Sequence, residues 1–331
     1  MKLGIIGAGM IVRDFLTYLD KIEGLEVRGI QDVALEGARA LCDQYGIACA
    51  TTSFDELVAT GIDTAYIAVP NFLHFDYCKR ALGAGLNVIV EKPMASNERE
   101  TRALAELARA NGRLIFEAVT TLYLGNYRKV REWLPRIGRI KLVQSEHCQY
   151  SSRYDAFRAG QVLPAFDPAK SGGALMDLGL YNLHFVMGLL GEPDEVRYAA
   201  NIERGVDTSG VLTLAYPECV AICVQAKDCK GPMGGTIQGE DGVIRTSWSP
   251  NIVGGVTLEL NDGTKEEYDD GMARTRLLPE FTAFIEAINR GDRAFCEKML
   301  EKSIAVSRVQ TCARIAAGVR FPADEAAGFA R

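Results

Sequence analysis

The sequence predicts an α/β protein in two parts. Residues 1–120 form an N-terminal doubly wound parallel sheet. Residues 121–331 form a C-terminal α+β domain with a large, open, mostly antiparallel sheet. Three observations carry this. Short apolar runs alternate with amphipathic stretches of helical length up to residue 117. A glycine-rich turn, Gly7-Ala8-Gly9, follows the first run and opens the first helix. From Glu195 to Tyr268 the chain switches to short alternating strands separated by turns. A length of 331 residues fits two domains of about 150 each.

The elements follow in order. Lys2–Ile6 is an apolar run bounded by Gly7, a buried strand. Residues 10–20 read as a helix, with Ile11, Phe15, Leu16 and Leu19 on one side. Leu25–Ile30 is a strand ending at Asp32, and Ala34–Tyr45 a helix closed by Gly46. After a short strand at Ile47–Cys49, Ser53 with Glu56 three residues on has the form of a capping box. Thr64–Val69 is a strand stopped by Pro70, Asn71–Leu82 a helix, and Asn87–Val90 a strand. Ser96 is the expected cap of a helix running to Ala110, and Arg113–Glu117 the last strand of the series. Every crossover contains a helix, so the sheet must be parallel. Beyond it, Asn126–Leu134 reads as a helix, Arg139–Tyr150 as a strand and Gly173–Leu190 as one long helix. Helices return at Leu277–Asn289 and Ala294–Ala317, the last a candidate to pack back on the first domain.

Composition excludes several classes. Hydrophobic residues are 48% and charged residues 24%, as in an ordinary globular chain. Lys plus Arg number 37 against 43 Asp plus Glu, a net charge of −6, so no nucleic-acid partner is expected. No apolar run of about 18 residues stands out, and no membrane partner is expected. The N-terminus runs straight into a strand without a leader pattern, which makes the cytoplasm the expected location. The nine cysteines contain no CxxC pair, and Cys219, Cys223 and Cys229 read as reduced, structural residues. With three histidines, no metal site is expected.

The glycine turn carries the first chemistry. Gly7 makes the tight turn, and Gly9 lets backbone approach a pyrophosphate at the N-terminus of the next helix. Ala8, Met10 and Ile11 complete that turn. Val12 holds the third position, usually glycine or alanine, and implies looser helix–strand packing. Asp32 ends the second strand, where a carboxylate accepts hydrogen bonds from ribose hydroxyls and repels a 2′-phosphate. It is equally placed to cap the following helix. With Val33 and Ala34 beside it, NAD is the expected cofactor and NADP the less favoured one. Pro70, Asn71, His74 and the tripeptide Glu91-Lys92-Pro93 fall at the carboxyl ends of strands, the edge that faces ligand in such sheets. Glu91 is placed to orient or pair with Lys92. A cationic nicotinamide beside Lys92 would disfavour the charged lysine and suit it to move a proton. His74 is either a cofactor contact or a helix-start residue bonded to backbone.

The glycine turn, Ala68-Val69-Pro70-Asn71-x-x-His74 and Glu91-Lys92-Pro93 resemble the glucose–fructose oxidoreductase / inositol dehydrogenase / MocA family. So does Ser171-Gly172-Gly173-Ala174-Leu175-Met176-Asp177-Leu178-Gly179-Leu180-Tyr181, which is similar to that family's D-x-G-x-H or D-x-G-x-Y segment. The tail Ala317–Asp324 is also similar to the family's endings. The tyrosine form resembles the branch with dimeric dihydrodiol dehydrogenase. The resemblance implies an NAD-binding Rossmann domain and an oxidoreductase acting on a sugar, polyol or small cyclic alcohol. It implies that Lys92 relays the proton, Asp177 orients substrate hydroxyls and Tyr181 stands at the acid/base position. It also implies a homodimer or homotetramer paired through the C-terminal sheet. On one α-helix, positions 177, 181 and 184 share a face. A phenol ordinarily titrates near ~10, so Tyr181 needs a nearby cation, for which Lys92 is the candidate. His184 is either the acid/base itself or a partner of Tyr181. Asn182, Lys170 and the segment Tyr150–Asp155 with Arg153 are weaker pocket candidates. Two other readings share the fold: a glycoside hydrolase or eliminase that keeps its NAD, and a non-catalytic nucleotide-sensing regulator.

Overall fold

The computed structural model describes residues 1–325. In chain order the N-terminal elements are β1 (Lys2–Ile6), α1 (Met10–Leu16), β2 (Glu26–Gln31), α2 (Leu35–Tyr45), β3 (Cys49–Thr51), α3 (Phe54–Ala59) and β4 (Thr64–Ile67). They continue with α4 (His74–Gly83), β5 (Asn87–Glu91), α5 (Glu98–Ala110) and β6 (Ile115–Ala118). Next come α6 (Gly125–Trp133), β7 (Ile140–Cys148), α7 (Tyr154–Arg158) and α8 (Leu180–Leu190). Seven strands follow: β8 (Glu195–Glu203), β9 (Val206–Ala215), β10 (Val220–Ala226), β11 (Met233–Gly239), β12 (Gly242–Ser247), β13 (Val256–Leu260) and β14 (Lys265–Tyr268). The chain closes with α9 (Leu277–Arg290), α10 (Arg293–Ala316) and α11 (Pro322–Glu325).

The chain forms two compact units. Unit 1 is 1–118 with 277–304, and unit 2 is 119–276 with the remainder. The second part is therefore not one continuous stretch from 121. The sequence shows two amphipathic helices at its end but not which core they face. Leu300 and Ile304 of α10 join the buried cluster of Ile6, Leu57, Val88 and Ile115. On α9, Phe281 packs tilted against Phe15 and edge-on against Tyr66, and Phe284 stacks on Phe116.

The sheet of unit 1 has six parallel strands in the order β3-β2-β1-β4-β5-β6. The strand order reverses between β1 and β4, the switch point where such sheets open a ligand crevice. The strands are buried on both faces, as the continuous apolar runs require: Thr64–Ile67 is buried throughout.

Several boundaries differ from the sequence expectation. The third strand lies at Cys49–Thr51, two residues later than expected. Asn71–Leu73 is a 3-10 turn that precedes α4. The cap of α5 is Asn97, whose side chain accepts from Glu100 N at 3.0 Å, while Glu100 reaches back to Ser96 N at 3.0 Å. At α3, Ser53 does accept from Glu56 N, but the Glu56 carboxylate is taken by Thr51 Oγ1.

Unit 2 carries an eight-stranded sheet in the order β14-β13-β12-β11-β7-β10-β9-β8. Only β7 and β10 run parallel among its pairs. Alternate residues face inward: Val143 and Ser145 of β7, and Ala221, Cys223 and Gln225 of β10, are buried. They meet α8, whose Leu183, Phe185 and Val186 are 0% exposed. Residues 168–190 are in fact apolar and long enough to cross a membrane by length and composition, but 72% of an 18-residue window within them is buried inside the protein. It is a core segment, which explains why it reads as hydrophobic nearly all round. All nine cysteines are free.

Candidate active site

In unit 1, Gly7 sits at φ +110°, and a Cβ there would strike the Ala68 carbonyl. Its N–H donates to Gln31 O at 2.7 Å. Only glycine lets β1 leave the sheet between β2 and β4 in this way. Gly9 is the N-cap of α1, and a Cβ there would meet nothing within 4 Å. The surface above the turn is open, as close approach of a pyrophosphate needs. Val12 is nonetheless 0% exposed, so the third position packs tightly despite its size.

Asp32 bonds to backbone on both sides, tying the glycine turn to the residue that opens α2; it is not the helix cap foreseen for it, since the N-cap of α2 is Ala34. Oδ2 accepts from Ala8 N at 2.7 Å and Oδ1 from Ala34 N at 2.8 Å. Each oxygen keeps a second lone pair for a ribose hydroxyl. Met10 is 73% exposed and Val33 85% exposed, apolar side chains flanking the turn and the carboxylate. Exposed apolar residues at a crevice edge fit an adenosine. Ile11 is half-buried and Pro70 exposed.

The loop after β5 is held from three sides. Tyr66 Oη donates to Glu91 Oε1 at 2.7 Å, and Met94 N donates to Glu117 Oε1 at 2.9 Å. The Pro93 carbonyl, beyond a cis Lys92–Pro93 peptide, lies 2.7 Å from His74 Nδ1. His74 Nε2 lies 2.8 Å from the Val69 carbonyl. His74 is 0% exposed, and burial pushes its pKa down against the pull of both carbonyls and of Glu117. This corrects the cofactor-contact assignment: both ring nitrogens are engaged by backbone, so His74 braces the β4 exit against the lysine loop. Glu91 likewise gives an oxygen to Tyr66. Glu117, absent from the sequence candidates, is visible only once β6 lies beside β5.

In unit 2 the expected single helix from Gly173 to Leu190 is split. Leu175–Gly179 is one π-helical turn, and α8 begins at Leu180. Glycines make the entry possible: Gly173 has φ +127°, and a Cβ on Gly172 would lie 2.6 Å from Pro164 O. Leu175 N donates to Asp207 Oδ2 at 2.7 Å. Such turns are often found at functional sites. Asp177 lies in the turn and Tyr181 in the first turn of α8, both partly exposed. His184 is 1% exposed among the buried residues of α8. The shared face foreseen for 177, 181 and 184 thus divides, and His184 is not presented to a ligand. The ring of His147 of β7 lies near Tyr181, with centroids 5.9 Å apart. Asn182 is buried, accepting from Ser145 Oγ at 2.9 Å and donating to Val224 O at 2.9 Å, a tie between helix and sheet. Arg153 is exposed, and Lys170 is partly exposed.

Sequence reasoning missed Lys227. Its ammonium lies 2.9 Å from Asp177 Oδ2 and 2.8 Å from Ala165 O. Its side chain is 2% exposed, that of Asp177 32%. A lysine directly after a strand gives no signal of its own.

A parallel sheet of this order, with a glycine turn at its switch point and an acidic residue ending the second strand, is the arrangement of a dinucleotide-binding domain. Comparison with known proteins agrees. Residues 1–119 match the family model described as the oxidoreductase family with an NAD-binding Rossmann fold, and residues 127–245 match the GFO/IDH/MocA C-terminal domain. The chain belongs to the Gfo/Idh/MocA oxidoreductase family. It is 33% identical over 332 residues to scyllo-inositol 2-dehydrogenase (NADP(+)) IolU of Bacillus subtilis, covering 98% of this chain and 100% of that one. It is 27% identical to the trans-1,2-dihydrobenzene-1,2-diol dehydrogenase of Mus musculus, over 98% and 99%. Among solved structures, KijD10, a 3-ketoreductase from Actinomadura kijaniata in complex with NADP and TDP-benzene, superposes with a TM-score of 0.83. That match has 22% identity and covers 97% of this chain and 98% of that one.

Proposed function

We propose that the chain is an NAD-linked oxidoreductase acting on a sugar, polyol or similar small cyclic alcohol. The observation that carries this reading is the Lys92 loop, fastened through Glu91, Pro93 and Met94 at the carboxyl edge of the sheet. Bound nicotinamide supplies a hydride acceptor or donor at its C4. In the oxidation direction the carbinol carbon loses hydride and its hydroxyl loses a proton. Lys92, with Tyr181, takes that proton, and Asp177 holds a substrate hydroxyl in place. The relatives' printed substrates, an inositol and a cyclic dihydrodiol, support a ring-bearing alcohol. The test is a spectrophotometric screen of inositols, sugars and dihydrodiols for reduction of either dinucleotide. No turnover across the set, with dinucleotide still bound, overturns the proposal.

The cofactor proposal is NAD over NADP, and Asp32 is the residue that supports it. A 2′-phosphate about 6 Å from its carboxylate would be repelled by about 2–3 kcal/mol per charge at an effective dielectric of ~20. That is roughly a 100-fold preference. Asp32→Ser keeps an oxygen near Ala34 N and removes the charge. The expected result is a kcat/KM ratio for NADP over NAD that rises ~10–100-fold. A wild-type preference for NADP, the dinucleotide in the name of IolU and bound in the KijD10 structure, sinks the Asp32 argument.

We also propose self-association through the outward face of the unit 2 sheet. Val220 faces Leu142 across β10 and β7, and Val224 faces Val211 across β10 and β9. Leu142, Val211 and Val220 are 41–46% exposed, an apolar row that a second copy would cover. Val220→Lys with Leu142→Lys should yield monomers in light scattering; an unchanged oligomer excludes this face.

A further inference from the structure

We propose that Lys227 is a positioning residue for Asp177, and that it fixes which hydroxyl pattern the enzyme accepts. This rests on Asp177 holding a substrate hydroxyl, as proposed above. The geometry is asymmetric. Oδ2 of Asp177 is committed to an ammonium 2.9 Å away whose side chain is 2% exposed, while the carboxylate itself keeps 32% of its surface. Lys227 follows β10 directly, and its N–H donates to Thr208 O at 2.8 Å, so its backbone is fixed by the sheet. Its ammonium also donates to Ala165 O at 2.8 Å and sits 4.7 Å from the centre of the Phe166 ring. One cation therefore ties three things together: the π turn, the Pro164–Phe166 turn and the end of β10.

Without that ammonium, Oδ2 of Asp177 loses a fixed donor, and the two side-chain torsions of the carboxylate are less restricted. Holding one oxygen leaves the other aimed in one direction. A carboxylate oriented in this way discriminates a substrate bearing a hydroxyl at that point from one lacking it. The loss on deleting the hydroxyl is larger when the acceptor is fixed and left unpaired. A buried ion pair is weak evidence for stability but well suited to orienting its members.

The experiment uses the full chain with the best alcohol from the screen and its deoxy analogue. Lys227→Met keeps length and removes the charge. Lys227→Gln keeps a donor for Ala165 O and Asp177, and serves if the methionine variant folds poorly. Expected for Lys227→Met is a ~10²-fold fall in kcat/KM for the alcohol, with the dinucleotide Kd unchanged. The preference for the alcohol over its deoxy analogue should shrink ~10-fold, and Lys227→Gln should recover part of both. Adding Lys227→Met to Asp177→Ala should cost nothing further, since the two act as one unit. A Lys227→Met variant within 3-fold of wild type, or losses that multiply in the double variant, overturns the proposal. If no alcohol is turned over by the wild type, the functional reading fails instead. The pairing itself is then read by a denaturation double-mutant cycle on the same four proteins, and additive effects in it exclude the orienting contact as well.

Discussion

Exchange of Lys92 for alanine is expected to lower turnover of the alcohol by ~10²–10⁴-fold, the usual contribution of a positioned acid or base. That corresponds to about 3–5 kcal/mol of transition-state stabilisation. The three contacts that hold its loop do not use the lysine side chain. Glu91 is held by Tyr66, the Pro93 carbonyl by His74 and Met94 N–H by Glu117. The alanine variant should therefore keep its loop, its melting temperature and its dinucleotide affinity. With Lys92 placed beside the nicotinamide as proposed, removing its charge should not weaken NAD binding, because like charges repel. The signature is thus a loss in kcat without a loss in cofactor Kd. Lys92→Arg sharpens the test. Guanidinium keeps the charge but does not release its proton in proteins, so the arginine variant should be as slow as the alanine one. Turnover within ~10-fold of wild type in Lys92→Ala removes the proton relay from Lys92. Recovery in Lys92→Arg would show that charge alone is what the position supplies.

The fold was legible because its signals are local. Buried parallel strands leave continuous apolar runs, crossovers leave amphipathic ones, and Gly7 is required by a turn that no other residue makes. What stayed hidden depends on which segments become neighbours. The closing helices, read as Leu277–Asn289 and Ala294–Ala317, are present at Leu277–Arg290 and Arg293–Ala316, but the membership of 277–304 in unit 1 follows from Phe281 and Phe284 meeting Phe15, Tyr66 and Phe116. The Asp177 segment showed its acid and its glycines, and a uniform helix was the natural extrapolation. The π turn depends on Asp207 accepting Leu175 N–H, a contact set by β9. His74 and His184 looked alike as polar residues near motifs. Burial against carbonyls in one case and within α8 in the other separates them from the partly exposed Asp177 and Tyr181. Glu117 gave no signal because its role appears only when β6 lies beside β5, and Lys227 gave none because its partners, Asp177 and Ala165, lie on turns far away in sequence.

The other large effect expected lies in the tail, at Asp324. Its carboxylate meets the Arg314 guanidinium in a fork, Oδ2 to Nη1 at 2.6 Å and Oδ1 to Nη2 at 2.7 Å. The side chains are 4% and 1% exposed. Phe321 N–H also donates to Oδ2 at 2.8 Å, and the guanidinium lies 3.9 Å from the centre of the Phe321 ring. Asp324→Ala strands a buried cation, which costs about 3–5 kcal/mol. For a unit of this size that is a fall of roughly 6–20 °C in its melting transition. The consequence should reach Asp177 as well. Val319 and Phe321 pack on Met176, and Gln310 Nε2 donates to Leu175 O at 3.0 Å. The tail is therefore the floor of the π turn, and loosening it should raise KM for the alcohol while leaving the dinucleotide Kd unchanged. Arg314→Met with Asp324→Leu separates charge from packing. Replacing both partners by apolar residues of similar volume removes the stranded charge, so this pair should regain most of the lost stability. If Asp324→Ala melts within about 1 °C of wild type, the pair contributes no more than an exposed one would. If stability returns in the double variant but KM stays high, the fork itself, and not the packing it secures, holds the turn.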